Sequence, residues 1–366
     1  MDLRIERMAD ALVHYSLNLK KNDLFVINSN ELAIPLIKVV YEKALEAGTY
    51  PQVFMSPTGL QEITCRKGSD DQLEHVSPIT KFTLEHADAM LTIWAPRNTR
   101  ALSQVDPRKQ SLQAKAERET RKITMKRIAS GELRWCGTLY PTDGVAREAE
   151  MSIEEYEDFV YKACHCDQDG TADAWKKMSE RQERIVEFLN KKETIRIVAK
   201  DTDLTLSVKG RKWINCDGKE NFPDGEVFTS PIEDLVDGYI RYTYPAIFHG
   251  REVQDIKLTF KRGEVIEAKA AKGEEYLKAM IETDEGAKRL GELAFGLNYG
   301  IDRFTKNTLF DEKIGGTMHL ALGNGFLEAG SNNVSGIHWD MVCDMHNGKV
   351  YADNELIYEN GRFLSL

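Results

Sequence analysis

Apolar and polar positions follow two rhythms along this chain, and the change falls near residue 190. Up to there, short apolar runs alternate with helical stretches. "LFVIN" (Leu24 to Asn28), "QVFMS" (Gln52 to Ser56), "AMLTIWA" (Ala89 to Ala95) and "LRWCGTL" (Leu133 to Leu139) read as strands. Between the first two, Ile37, Val40, Tyr41 and Ala44 recur at helical spacing, with Pro35 suited to the first turn and Gly48 to the C-terminal end. Strands alternating with helices predict a mostly parallel sheet covered on both faces. Two long helices follow. The first opens with a capping box, Ser152 and Glu155, and lines up Tyr156, Phe159, Val160 and Ala163. The second carries Trp175, Met178, Gln182, Ile185, Val186 and Leu189 on one face.

The polar stretch "NKKET" (Asn190 to Thr194) is the expected boundary, and 366 residues are too many for one typical domain. The expectation is an α/β domain with a mostly parallel sheet over 1–192, followed by a β-rich α+β domain over 193–366. In the second, "TIRIVAK", "LTLSV", "EVFTS", "IRYTY", "IKLTF" and "EVIEAKA" are short strands between turn residues such as Asp217-Gly218 and Arg262-Gly263. One helix is expected over residues 273–297, with Ala287, Leu290, Ala294 and Leu297 as its stripe.

Two further strands carry more than a core pattern. In "SGIHWDMVCD" (Ser335 to Asp344), side chains alternate faces, so Ile337, Trp339, Met341 and Cys343 form an apolar row. His338 and Asp340 then share the opposite face, toward water or a cavity. In "GTMHLALG", Met318, Leu320 and Leu322 likewise oppose Thr317, His319 and Ala321. Imidazole and carboxylate together suit a divalent metal such as zinc, cobalt or manganese.

A net charge of -10 argues against nucleic acid or an anionic membrane surface as partner. No apolar run approaches the roughly 18 residues of a membrane span, and the charged N-terminal helix pattern lacks a signal peptide's apolar core. Six cysteines are sparse, so a cytoplasmic chain with free thiols is expected, in which the "NVS" sequon at Asn333 carries no glycan. Cys164-His165-Cys166-Asp167 has too narrow a gap for a paired-cysteine zinc site and reads as ordinary thiols at a helix end. Residues 108–127 hold eight basic and two acidic side chains without interleaved aromatics, the pattern of a solvated helix face. "GNGFLEAG" breaks the dinucleotide fingerprint, and no P-loop or Gly-x-Ser-x-Gly elbow occurs.

The blocks "NFPDGEVFTSP", "TDEGAKRLGE", "TLFDEKIGGTMHLALG" and "NVSGIHWDMV" together make the chain recognisable. It resembles the thermophilic-type metalloaminopeptidases, the family of aminopeptidase T and aminopeptidase S. The likeness is strongest across Lys200 to Phe363 and extends more loosely to "YSLNLKKNDLFVI" and "ALEAGTYPQVFM". It implies that the second domain binds metal through Glu226, Glu292, His319, His338 and Asp340. One bridging carboxylate would give each of two divalent ions (zinc, cobalt or manganese) three bonds, with the ions about 3.5–4 Å apart around a shared water. Glu292 is the implied bridging ligand or general base. Without the resemblance, both glutamates read as solvated residues. The implied activity is release of N-terminal amino acids from peptides, the free amine on one ion and the scissile carbonyl polarised by the other. A homodimer is also implied, the N-terminal domain of a subunit helping to close the catalytic chamber. The chain departs from the pattern seven residues after the "HLALG" histidine, where relatives carry a site tyrosine and this chain has Phe326. Two other readings stay open. One is a mononuclear iron ring-cleaving dioxygenase using His319, His338 and Asp340; the other is a catalytically weakened, metal-stabilised binding protein.

Overall fold

The computed structural model describes residues 2–364. The chain forms two compact units. One runs to Asp173 and takes back Gly218–Phe222; the other holds Ala174–Asp217 and continues from Pro223.

In the first unit, the strands Leu24–Ser29, Tyr50–Met55, Ala89–Trp94 and Arg134–Leu139 are all parallel. Tyr50–Met55 lies at one edge, and Asn221–Phe222 pairs in parallel along the last strand. The helix Ile34–Glu46 has Pro35 in its first turn, and Gly48 follows it at φ +80°, a backbone conformation that costs glycine little. Its buried face is Leu36, Ile37, Val39, Val40 and Ala44, whereas Tyr41 is exposed. The capping box is formed: Glu155 N–H donates to Ser152 Oγ (3.2 Å) and Ser152 N–H to Glu155 Oε2 (2.9 Å). Cys164 and Cys166 are buried thiols at that helix's end. The basic stretch is one helix, Pro107–Ala129, with Lys115 paired to Glu74 (3.0 Å) and Arg108 to Asp70.

The second unit includes the end of the helix Thr171–Leu189. Ile185, Val186 and Leu189 join its core, so the polar stretch expected as a boundary lies inside this unit, before the strand Thr194–Ala199. An eight-stranded sheet and a five-stranded sheet contribute to one shared core, the first through Ile195, Ile197, Leu204 and Leu206, the second through Leu293, Phe295, Leu320 and Met341.

One expected element is wrong. Residues 273–297 do not form a single helix: a helix covers Glu274–Ile281, a short turn Gly286–Lys288, and Leu290–Gly296 is a strand. That strand lies between two others in the five-stranded sheet and is buried at every position. A strand covered on both faces loses its alternation and cannot be told from a buried helix by periodicity.

Candidate metal centre

The five-stranded sheet runs in the order His338–Asp344, Thr317–Gly323, Leu290–Gly296, Glu226–Thr229, Ile214–Cys216. Residues directly opposite each other in antiparallel strands share a face. Asp340 pairs with Ala321 and Ala321 with Glu292; His319 pairs with Ala294; Gly296 pairs with Glu226. The register therefore brings Glu226, Glu292, His319, His338 and Asp340 to one face across four neighbouring strands. Between them stand small residues, Ala294, Gly296, Ala321 and Gly323, which leave room above the sheet. The opposite face is the apolar row of Leu293, Phe295, Leu320, Leu322, Trp339 and Met341.

Glu292 owes its direction to a bulge. Leu290 pairs with Leu322 but Glu292 with Ala321, so Gly291 is an extra residue and two side chains of equal parity point to opposite faces. A Cβ on Gly291 would lie 2.3 Å from the Asn324 carbonyl oxygen, so only glycine fits. Ser230 Oγ pins the bulge, donating to the Gly291 carbonyl (2.6 Å) and accepting from Phe326 N–H (3.1 Å). Gln182, the polar residue on an otherwise apolar helix face, donates to the Glu226 carbonyl (3.0 Å) and the Cys216 carbonyl (2.9 Å).

The functional atoms converge. His338 Nε2 lies 3.0 Å from Glu292 Oε2 and 3.4 Å from Asp340 Oδ1. His319 Nε2 lies 3.7 Å from Glu292 Oε1 and 3.6 Å from Glu226 Oε2. His338 Nδ1 donates to the Asn324 carbonyl (2.7 Å), which leaves its Nε2 as the atom facing the carboxylates. Glu292, His338 and Asp340 offer ligand atoms within 4.8 Å of one another, and so do Glu312, His319 and Asp340. Glu312, just past the short helix Thr308–Asp311, was not among the residues expected from sequence, nor was Lys313 beside it. Lys313 is fully buried, with Nζ 3.3 Å from Glu226 Oε1 and in contact with Glu312. The only sequence signal for the pair was their place in the "FDEKIGGTMH" block before His319.

Charge dominates this pocket. Burial works against a protonated His338, but Asp340 and Glu292 outweigh it and push the imidazole up to about 12. His319, also desolvated, is pushed up to about 10 by Glu292 and Glu226. Burial raises Glu226 to about 8 despite Lys313, whereas His338 holds Asp340 at about 2 against its desolvation. Glu226 Oε2 and Asp340 Oδ1 are moreover buried oxygens without a hydrogen-bond partner. Buried acceptors aimed at neutral-capable imidazoles fit a divalent ion.

Phe326 packs edge-on against the His338 ring, centroids 5.2 Å apart, so the position expected to carry a tyrosine does border the centre. The Tyr299 hydroxyl donates to the Gly361 carbonyl (2.7 Å). Tyr351 belongs to the eight-stranded sheet.

Among known proteins, the family described as thermophilic metalloprotease (M29) matches residues 1–363. The chain belongs to that family. It is 27% identical over 348 residues to aminopeptidase 2 of Geobacillus stearothermophilus, covering 88% of this chain and 84% of the relative. It is 26% identical over 400 residues to aminopeptidase T of Thermus thermophilus, covering 98% and 95%. A solved structure, wild-type AmpT from Thermus thermophilus, superposes with a TM-score of 0.86 over 99% of both chains at 24% identity, a likeness of fold. Membership in this metalloprotease family makes the chain a metal-dependent hydrolase. It does not favour the ring-cleaving dioxygenase or a non-enzymatic binding protein.

Proposed function

We propose that this metalloprotease is an aminopeptidase that releases N-terminal residues from peptides. The observation that carries the reading is the in-register set Glu226, Glu292, His319, His338 and Asp340 on one sheet face, joined by Glu312. These six are proposed to hold two divalent ions, zinc, cobalt or manganese: Glu292, His338 and Asp340 on one side, His319, Glu312 and Glu226 on the other. Glu292 presents one oxygen to each imidazole, which supports a bridging role over that of general base. Paired ions held by these residues would supply a nucleophilic water at neutral pH and polarise the scissile carbonyl.

The chain's own residues prepare the site. The Asn324 carbonyl orients His338, Ser230 holds the bulge that aims Glu292, and Gln182 holds the Glu226 strand. A neutral N-terminal amine could serve as a ligand to one ion, which an N-acetyl amide could not. Beside Asp340 and Glu312 lies a narrow recess whose lining mixes Ala246, Ile247, Phe304 and Val342 with Lys306 and Thr308. The test is hydrolysis of an aminoacyl anilide by metal-stripped protein resupplied with cobalt, manganese or zinc. Cleavage of the free amine but not of its N-acetyl derivative is expected. Failure to cleave with all three metals would end the reading.

Phe326 makes a second expectation. A phenol against His338 would offer a hydrogen-bond donor to the developing oxyanion, and one such donor is worth about 10²–10³ in turnover. Phe326→Tyr is expected to raise kcat with little change in KM. Unchanged kinetics on a good anilide would mean that Phe326 merely lines the pocket.

A homodimer and a cytoplasmic location complete the proposal. The edge strand of the first unit exposes Tyr50, Val53, Phe54 and Met55, an apolar strip that a second copy would cover. Sedimentation at micromolar concentration is expected to show a dimer; monomer alone would refute it. All six cysteines are thiols, as a reducing compartment keeps them. Among the described residues no helix is long and apolar enough to cross a membrane. Asn333 is buried and donates to the Gly286 and Gly323 carbonyls (2.9 and 2.5 Å), so the sequon asparagine already serves the fold.

A further inference from the structure

A fully buried lysine inside a cluster meant for divalent cations is a conflict. The Lys313 ammonium sits on Glu226 Oε1 at 3.3 Å and against the Glu312 carboxylate. Both carboxylates belong to the His319 side of the centre; the Lys313 charge also reaches Asp340, but its ion pairs are with Glu226 and Glu312. The other oxygen of Glu226, Oε2, points to His319 Nε2 and has no hydrogen-bond partner. Of the two sides, only that of His319 has a lysine ammonium directly on its carboxylates.

We propose that Lys313 is a resident competitor for one of the two ions, so that the centre loads in two unequal steps. The Glu292–His338–Asp340 group fills first and tightly. The His319–Glu312–Glu226 group fills second and weakly, because the incoming ion must share its carboxylates with an ammonium that burial prevents water from screening. This rests on the two-ion reading above. It adds that the working stoichiometry depends on how much metal is available: one resident ion when metal is scarce, two when it is plentiful. Groups that support a ligand shell alter metal affinity by about 10–100-fold, the range expected for a charge in direct contact with two ligands.

The test is stepwise cobalt binding to metal-stripped protein, followed by calorimetry and by metal analysis after equilibrium dialysis. The wild-type protein should show two steps, or only the first at micromolar cobalt. Lys313→Met, of similar length but uncharged, should tighten the second step by about 10–100-fold and leave the first nearly unchanged. Lys313→Arg, which keeps the charge, should leave it weak. Two indistinguishable steps in the wild-type protein would overturn the proposal, and that measurement needs no variant to fold. So would a Lys313→Met protein, folded by circular dichroism, whose second step is unaltered or weaker. Anilide hydrolysis measured on the same samples separates the two readings: unequal loading without hydrolysis at any metal level would reject the aminopeptidase and keep the lysine's role.

Discussion

His338→Ala and Asp340→Ala are each expected to abolish peptidase activity, by more than about 100-fold, while the protein stays folded. Loss of a group that only supports a ligand costs about 10–100-fold in such sites, so loss of a ligand should exceed that. The two changes should differ in metal content. Asp340 sits within reach of both sides of the centre, offering ligand atoms alongside Glu292 and His338 and also alongside Glu312 and His319, whereas His338 does so on one side only. Asp340→Ala should therefore deplete both ions, and His338→Ala mainly one. Neither side chain belongs to the apolar row of Trp339, Met341 and Cys343 that fills the core, so little buried apolar surface is lost. Anilide turnover, metal analysis and a melting curve on each variant check this. Full activity in either one would remove that residue from the centre.

Stripping the metal should abolish activity and also lower the melting temperature, by on the order of 10 °C. The site exists only in the folded chain, so ions present at about 1,000 times their Kd stabilise it by about 4 kcal/mol. At about 2–4 °C per kcal/mol for a domain of this size, that becomes a shift visible in any melting curve. The physical source is the crowding of Glu226, Glu292, Glu312 and Asp340, whose mutual repulsion Lys313 and the imidazoles offset only in part. Equal melting temperatures for stripped and reloaded protein would show that the carboxylates hold no ion.

How much of this was legible beforehand differs from residue to residue. Local pattern was enough for the parallel strands of the first unit, for the Ser152 capping box, and for the faces of the two histidine strands. Continuous apolar runs marked the parallel strands, the Ser-x-x-Glu spacing marked the helix start, and alternation of apolar with other residues marked the two histidine strands. His338 and Asp340 were visible for the same reason, as polar residues opposite a core row. Glu226 and Glu292 came only through family resemblance, and the helix expected around Glu292 was wrong. A strand buried on both faces carries no alternation, and the Gly291 bulge changes which way Glu292 points without changing its place in the sequence. Glu312 and Lys313 had no pattern at all, because their meaning depends on groups brought from Glu226 and His319. The sequence by itself determined the parallel strands of the first unit, the inner faces of the two histidine strands and the two imidazoles, since these follow from patterns within one element. Only the tertiary structure decided that four strands bring three carboxylates and two imidazoles onto one face and that a lysine is buried among the carboxylates. Register, bulges and burial of charge are set between elements, where no local spacing records them.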